Sequence, residues 1–220
     1  MQTILNGVLS TDDLAWLKGV IAQGDFVDGR LTSTLQGKNN LELAVESDVA
    51  GQAGARVAEK LFAHPDFKDA AQPLALHTPL ISRYEVGMQY PDHFDGAIMG
   101  GVRTDVAVTV FLSDLDDYQG GHLVIETGAG VCRYRLPAGD AIVYPASSIH
   151  RIEPVTRGVR LVCVLWVQST VREPSRRLLL SDLRKAACEL EGTAYTARLQ
   201  RTYHNLLRMW AETSPQHGRQ

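Results

Sequence analysis

Tyr90-Pro91-Asp92-His93-Phe94-Asp95-Gly96 is the stretch that decides how the chain is interpreted, and it follows directly on a run with the pattern of a β-strand. In a strand, side chains two positions apart point to the same face. His93 and Asp95 would therefore project together, as a neutral imidazole and a carboxylate that can bind one metal ion. A third ligand would complete the set and leave the opposite positions of an octahedral ion open for chemistry.

The third ligand would be a histidine well downstream of this pair. His150 is the leading candidate, because it follows a predicted strand that ends at Pro145 and then a short polar loop. A side chain at that place can point into the mouth of a barrel. His122, directly after Gly-Gly, competes with it, and spacing leaves both open. The remaining histidines have the setting of solvated or locally bonded rings: His64, His77, His204 and His217.

Short strands at close spacing occupy the middle of the chain. The clearest covers residues 105–112, where Val and Leu alternate with other residues. Gly87 interrupts an extended run over residues 78–90. Several short strands separated by turn signals are typical of an antiparallel sandwich or barrel. The other predicted strands, each bounded by Gly, Asp or Pro, cover residues 122–126, 131–136, 141–144, 150–155 and 159–168.

Helices are predicted before the β-rich region. Ser10 precedes two acids and then an apolar run, which indicates a capped first helix. Ser47 and Asp48 open a second helix, rich in alanine, that runs to about Ala63. Between them, residues 25–42 are expected to form a loop with short extended pieces.

The segment after Ser169 has a helical pattern. Ser181 is expected to cap a helix that runs to about Leu190, and a second helix is predicted over residues 194–210. The second carries one apolar stripe, which must be buried somewhere. We expect it to pack on the outside of the sheet, with a homo-oligomer interface through these helices as the alternative. The stripe consists of Leu199, Tyr203, Leu206, Leu207 and Trp210.

Composition limits the functions open to the chain. Its 220 residues are 45% hydrophobic and 21% charged, and the net charge of −3 argues against nucleic-acid binding. No stretch approaches the roughly 20 apolar residues of a membrane span, and the first residues lack the pattern of a signal peptide. The cysteines, Cys132, Cys163 and Cys188, are widely spaced and odd in number. They fit reduced thiols, so we expect a cytoplasmic protein with no membrane partner.

Arg160 is a charged residue in an otherwise apolar strand. Alternation places it on one face with Val162, Val164 and Trp166. A guanidinium there is costly unless an anion pairs with it. The structural explanation is an ion pair with a protein carboxylate, or a side chain that reaches water from the strand end near Gly158. The functional explanation is a bidentate fork for the carboxylate of a small ligand that is held beside the metal. Physical reasoning from the sequence leaves both open.

Taken together, these residues resemble those of a known family. His93-x-Asp95, a distal His150 and an arginine ten residues later are similar to the Fe(II)/2-oxoglutarate dioxygenases of prolyl 4-hydroxylase type. The resemblance is closer still to the bacterial PKHD-type (PiuC-like) hydroxylases, and it covers most of residues 26–169. The supporting stretches include residues 26–30, Lys38-Asn39-Asn40, 83–84, 120–126, 136–140, 144–150 and 154–160.

The resemblance implies a fold, a domain division and a site. The fold would be mainly β with flanking helices: a double-stranded β-helix (jelly-roll) core, N-terminal helices and a C-terminal helical segment. The dioxygenase domain would span residues 1–169, with its catalytic core at about 78–169, and residues 170–220 would form the helical segment. Fe(II) would be held by His93, Asp95 and His150, and the distal carboxylate of 2-oxoglutarate by Arg160. Tyr84 matches a tyrosine that contacts this co-substrate in some prolyl hydroxylases.

By the same resemblance, the reaction is a hydroxylation that consumes O2 and 2-oxoglutarate and releases succinate and CO2, with L-ascorbate as a candidate reductant. The substrate, a small molecule or a peptide, is not specified. Iron uptake, with which members of the group are associated, makes a siderophore-related molecule as reasonable as a peptide. A cupin-like metalloenzyme without a 2-oxo acid and a non-catalytic iron-responsive protein are the alternatives.

The sequence departs from the family pattern at two positions. His122 stands where a glutamate is usual, which could alter the rim of the site or offer a spurious ligand. A tyrosine that binds 2-oxoglutarate in animal prolyl hydroxylases falls near Phe111, so that contact is expected to be absent.

Overall fold

Two β-sheets and a layer of helices make up the molecule, whose structure, a computed structural model, describes residues 2–33 and 36–213. The strands are β1 (Thr3–Leu5), β2 (Phe26–Asp28), β3 (Leu41–Leu43), β4 (Pro73–Leu76), β5 (Leu80–Tyr84), β6 (Tyr90–His93), β7 (Ile98–Met99), β8 (Val102–Arg103), β9 (Val106–Phe111), β10 (Tyr118–Gly120), β11 (Leu123–Thr127), β12 (Gly130–Tyr134), β13 (Ala141–Pro145), β14 (His150–Ile152), β15 (Val155–Gly158) and β16 (Arg160–Ser169). The helices are α1 (Thr11–Ile21), α2 (Asp48–Ala63), α3 (Pro65–Ala71), α4 (Pro174–Glu189) and α5 (Thr196–Trp210), and Gly29–Thr32 forms a 3-10 turn.

The larger sheet has the order β1-β13-β9-β16-β5-β3-β2, with β4 paired to the far end of β16. The smaller sheet has the order β12-β11-β14-β6, and two strand pairs, β10-β15 and β7-β8, complete the β-structure of the described residues. All named strand pairings are antiparallel. The sandwich that the strand pattern predicts is therefore confirmed.

Alternation along β16 divides the core into two layers. Val162 and Trp166 join apolar residues of the smaller sheet, such as Leu123, between the two sheets. Cys163 and Leu165 point the other way, into a second core beneath the helices. Both faces of the strand are buried because one faces the smaller sheet and the other is covered by helices. Arg160 therefore lies on the face between the sheets, as its spacing predicts.

The helices before the β-rich region begin where the sequence predicts. Ser10 caps α1 in a capping box with Asp13: its hydroxyl accepts from the Asp13 amide, and the Asp13 carboxylate accepts from the Ser10 amide. Ser47 caps α2 with a single hydrogen bond, in which its hydroxyl accepts from the Ala50 amide. The small helix α3 was not predicted, because Pro65, which ends one helix in the sequence pattern, also starts the next at its first position.

The C-terminal helices differ from the prediction in two respects. Ser181 does not cap a helix; it is buried within α4, which begins at Pro174, a residue suited to the first helical turn. The apolar stripe of α5, from Leu199 to Trp210, packs on α4 rather than on the sheet, and α4 in turn packs on α3. No α5 residue is fully buried. The reason is that α4 lies between α5 and the rest of the molecule.

None of the helices in the described part of the chain is both long enough and apolar enough to span a lipid bilayer. The three cysteines carry free thiols.

Candidate active site

His93, Asp95 and His150 lie together at one end of the smaller sheet. Their potential ligand atoms are all within 4.8 Å of one another. Pairing of β6 with β14 sets His150 opposite His93, and their ring centroids are 4.1 Å apart. Asp95 lies just past the end of β6, where its amide donates to the Ala146 carbonyl. The structure therefore brings together the three residues that the sequence singles out as ligands.

Both imidazoles are oriented by backbone carbonyls. His93 Nδ1 is 2.8 Å from the Pro91 carbonyl oxygen, and His150 Nδ1 is 2.9 Å from that of Ser148. A carbonyl oxygen only accepts, so each Nδ1 carries the proton and each Nε2 keeps a free lone pair. A histidine that binds a metal through one ring nitrogen usually donates a hydrogen bond from the other, often to a backbone carbonyl, as Nδ1 does here.

The electrostatics of the cluster suit a bound cation. Burial, reinforced by the neighbouring His150, lowers the pKa of His93 to about 4, so its ring is neutral at physiological pH. Burial also raises the pKa of Asp95, an effect opposed by His150 and by the Trp166 indole. The Asp95 side chain is only 7% exposed, and its Oδ2 atom has no hydrogen-bond partner among the described residues. A buried carboxylate left in this state is costly, and a metal ion would relieve the cost.

Arg160 lies in the same cavity as this cluster and is 1% exposed. None of its guanidinium nitrogens has a hydrogen-bond partner in the described part of the chain. The aromatic rings of Tyr84 and Phe111 lie against it, with centroids 5.1 and 5.6 Å from its Cζ atom. These rings hold the fork by cation–π contact but leave its N–H donors unused. Among the described residues, Arg160 therefore has no ion pair with a protein carboxylate, and its burial excludes a side chain that reaches water.

The cavity has a volume of about 1300 Å³. Every other Lys, Arg, Asp or Glu that lines it has an ion-pair partner among the described residues. Asp95 and Arg160 thus stand out, one an anion and one a cation, because neither has an ion pair with a Lys, Arg, Asp or Glu side chain of the described residues. The paired groups are Arg30 with Asp28, Lys38 with Glu42, and Asp92 with Arg151.

The competing histidine lies elsewhere. His122 Nδ1 is 3.3 Å from a carboxylate oxygen of Glu153, and His122 is not part of the ligand cluster. Of the two histidines that spacing left open, the structure places His150, and not His122, beside His93 and Asp95. His77 bonds locally, to the Thr78 carbonyl, whereas His64 Nε2 lies 3.2 Å from the carbonyl of the distant Asn6. His217 lies outside the described residues.

Several residues of the cavity wall were not predicted. The Tyr90 ring stacks on His93 with centroids 3.7 Å apart. His77 lines the cavity and meets Trp166 edge-on at 5.8 Å. Tyr90 is three residues before His93 in the sequence, and alternation along the strand puts Trp166 on the same face as Arg160, so both signals are present in the sequence. Nothing local marks His77, because only the pairing of β4 with β16 brings it to the site.

Comparison with known proteins places two family models on the chain. The 2OG-Fe(II) oxygenase superfamily matches residues 79–168, and the PKHD-type hydroxylase C-terminal domain matches residues 176–212. A PKHD-type hydroxylase of Acaryochloris marina is 46% identical over 96% of this chain and 100% of its own length. Another from Caulobacter sp. is 44% identical, with the same coverage of both chains.

Solved structures share the fold at low sequence identity. A prolyl hydroxylase of Trichoplax adhaerens superposes with a TM-score of 0.61 at 16% identity, covering 81% of this chain and 86% of that one. HygX of Streptomyces hygroscopicus, solved with nickel and 2-oxoglutarate bound, gives a TM-score of 0.59 at 16% identity, over 77% and 83% of the two chains. These likenesses agree with the jelly-roll core and the flanking helices that were expected.

Proposed function

The chain belongs to the PKHD-type hydroxylases of the 2OG-Fe(II) oxygenase superfamily, and from this premise we propose that His93, Asp95 and His150 hold the iron of an Fe(II)- and 2-oxoglutarate-dependent dioxygenase. Two neutral imidazoles and a carboxylate are the donor set of non-haem Fe(II) oxygenases. The buried Asp95 carboxylate supports this role, because no group of residues 2–33 and 36–213 donates a hydrogen bond to its Oδ2 atom. So do the Nε2 lone pairs that the Pro91 and Ser148 carbonyls leave free.

Arg160 is proposed to bind the distal carboxylate of 2-oxoglutarate. The single observation that carries the proposal is the pair of uncompensated charges in one cavity, Asp95 for the metal and Arg160 for the co-substrate. A guanidinium with all its donors unused can accept a carboxylate in a bidentate fork. Tyr84 and Phe111 fix the plane of that fork, and the aromatic Phe111 supplies no hydroxyl to the carboxylate.

With Fe(II), 2-oxoglutarate and O2 bound, the cofactors supply the oxidising chemistry, in which a substrate is hydroxylated and succinate and CO2 leave. The protein binds, orients and shields. The His93 and His150 rings are held in position by carbonyls, and Arg160 fixes one end of the co-substrate. Leu80, Val162 and other apolar residues between the sheets exclude water from the reacting groups.

The substrate is proposed to be a small molecule or peptide that presents an apolar group. Ligand cavities usually measure about 300–1,000 Å³, so about 1300 Å³ leaves space beyond that taken by 2-oxoglutarate. Three apolar side chains at the cavity wall are exposed: Leu31 (77%), Phe94 (69%) and Ile149 (43%). Phe94 lies between two proposed ligands in the chain and Ile149 directly precedes the third, so a substrate resting on them would lie beside the metal.

The test is 2-oxoglutarate decarboxylation with Fe(II), with and without L-ascorbate, screened against peptides, amino acids and siderophores. Succinate release is expected from the wild-type protein and should rise with a true substrate. His93→Ala and Asp95→Ala should abolish release while leaving the circular dichroism spectrum unchanged. Full activity in either purified variant would refute the assignment of the ligands.

We also propose a domain boundary, a cellular location, a reductant and an oligomeric state. The boundary between the dioxygenase domain and the helical segment is placed after residue 169, which the two matched ranges, 79–168 and 176–212, support. A cytoplasmic location is supported by the three free thiols. L-Ascorbate is proposed as the reductant that restores Fe(II). A homo-oligomer through α5 is supported by the exposure of Tyr195 and Met209.

A further inference from the structure

Lys38-Asn39-Asn40 is a motif that the proposed chemistry leaves without a role. The structure buries its first residue together with a carboxylate: Lys38 is 5% exposed and Glu42 is 2% exposed. Lys38 Nζ is 2.6 Å from Glu42 Oε1, and both residues line the cavity that holds the proposed metal ligands. Neither side chain belongs to the ligand cluster.

The pair is completed by a hydrogen-bond network. Thr32 Oγ1 accepts from Lys38 Nζ at 2.8 Å and donates to Glu42 Oε2 at 2.6 Å. Asn40 Nδ2 donates to Glu42 Oε1 at 3.4 Å. The desolvation penalty of a buried ion pair can exceed the Coulombic attraction between its charges. Apolar residues of similar volume often make the protein equally stable. Stability alone therefore gives a weak reason for this pair.

A chain of contacts connects the pair to a proposed ligand. Lys38 Nζ lies over the Tyr90 ring, 5.1 Å from its centroid. The Tyr90 ring stacks on the His93 imidazole at 3.7 Å with only 15° between the planes. The backbone ties the same segments together, since Asn39 and Gln89 exchange two amide-to-carbonyl hydrogen bonds of 2.9 Å. Lys38 thus reaches His93 through one aromatic ring.

We propose that Lys38 and Glu42 are positioning residues that hold the Tyr90 ring against His93 and thereby fix the plane of this metal-binding imidazole. Glu42 and Thr32 orient the ammonium group, the ammonium group holds the face of Tyr90 by cation–π attraction, and Tyr90 restrains the ring that Pro91 restrains at Nδ1. The inference rests on the proposed function, because it gives His93 its role as an iron ligand.

The test measures metal binding without turnover, with Co(II) as the probe. Lys38→Met with Glu42→Met removes both charges together, so that neither is left buried alone. Its Co(II) dissociation constant is expected to rise at least about 10-fold, as for other residues that orient a ligand from behind, and the visible Co(II) spectrum should change. Tyr90→Leu, which removes the stacked ring, should do the same, and Tyr90→Phe, which keeps it, should bind as the wild type does.

A matched control removes an ion pair far from the cavity: Lys18→Met with Asp114→Asn, whose charged atoms are 3.6 Å apart at the surface. It should leave Co(II) binding unchanged. If the Met pair fails to fold, Lys38→Gln with Glu42→Gln keeps hydrogen-bonding groups at both positions and is measured instead.

The outcomes separate the two levels of the argument. A wild-type protein that binds no Co(II) overturns the proposed function, and this inference with it. Suppose instead that the wild type binds Co(II) and that the folded double variant has the same dissociation constant and the same spectrum. This result overturns the inference alone, and Lys38 and Glu42 are then purely structural. Weaker binding in the neutral pair with an unchanged spectrum also overturns it, because a positioning role requires altered ligand geometry.

Discussion

At Asp95, the substitution Asp95→Asn is expected to have opposite effects on the stability of the metal-free and the metal-bound protein. Within the described part of the chain, one oxygen of the buried Asp95 carboxylate has no hydrogen-bond partner. Asp95→Asn removes that charge, so the unfolding free energy of the metal-free protein is expected to rise by about 1 kcal/mol. Wild-type protein should gain about 4 kcal/mol from Mn(II) at a thousand times its dissociation constant, and the variant should gain much less. Urea unfolding with and without Mn(II) measures both, and equal Mn(II) stabilisation would contradict the prediction.

Arg160→Ala is expected to weaken 2-oxoglutarate binding without loss of the fold. Truncating one side of a buried, hydrogen-bonded charge pair costs about 2 kcal/mol or more, which is about 30-fold in affinity. The apparent constant for 2-oxoglutarate, measured by succinate release, should rise by that factor. Arg133→Ala, which removes an exposed arginine paired with Glu153, is the control and should change nothing. An unchanged constant in Arg160→Ala would remove the co-substrate role.

At the residue scale, the sequence predicts which side chains can take part in chemistry better than it predicts which residues lie beside them in the fold. The i, i+2 spacing of His93 and Asp95 and the phase of Arg160 along its strand were readable, because they follow from local geometry. The choice between His122 and His150 was not, since strand pairing decides it. The isolation of Arg160 from carboxylates was also unreadable, because it depends on everything that lines the cavity.

At the element scale, the capping box at the start of α1 contributes measurably to the free energy of unfolding. Ser10→Ala removes the acceptor of the Asp13 amide and leaves the Asp13 carboxylate with fewer partners. The free energy of unfolding is expected to fall by about 1 kcal/mol. Denaturant unfolding measures the change, and Ser10→Asn, which also caps helices well, should restore most of it. A loss in both variants would show that the hydroxyl acts in another way.

Elements were predictable where a signal sits inside the element itself. Ser10 and Ser47 marked their helices, and the valines of β9 marked that strand. The helix start predicted at Ser181 was wrong, because a Ser-Asp pattern typical of a helix cap also occurs inside α4, which begins at Pro174. The short strands β1 and β4 have little pattern of their own, and they form because the larger sheet offers them an edge or a partner.

At the scale of the whole molecule, the two C-terminal helices should differ in importance. Leu180 and Arg177 of α4 are buried, whereas no α5 residue is. Truncation after Leu190 should therefore leave a folded protein that binds Co(II), although it breaks the ion pair between Arg103 and Glu212. Truncation after Ser169 should abolish soluble expression. Equal loss in both truncations would contradict this ranking, and size-exclusion chromatography with light scattering on the shorter deletion tests whether α5 joins two copies.

The layered arrangement followed from the sequence, but the packing partner of α5 did not. Short strands followed by amphipathic helices indicate a β-sandwich with helical cover. An apolar stripe states only that something covers it. Here α4 provides the cover, because α4 packs on α3 and presents its other side to the last helix.

The uncompensated charges of Asp95 and Arg160 also bear on how long the protein lasts in a cell. If Asp95 and Arg160 bind metal and 2-oxoglutarate as proposed, the folded protein is expected to be least stable when both are scarce, because a ligand that binds only the folded state stabilises it. The unfolded fraction exposed to proteases is then expected to be largest when the metal and 2-oxoglutarate are both scarce. Cofactor supply is therefore expected to affect the abundance of the protein through its degradation, in addition to its catalytic rate.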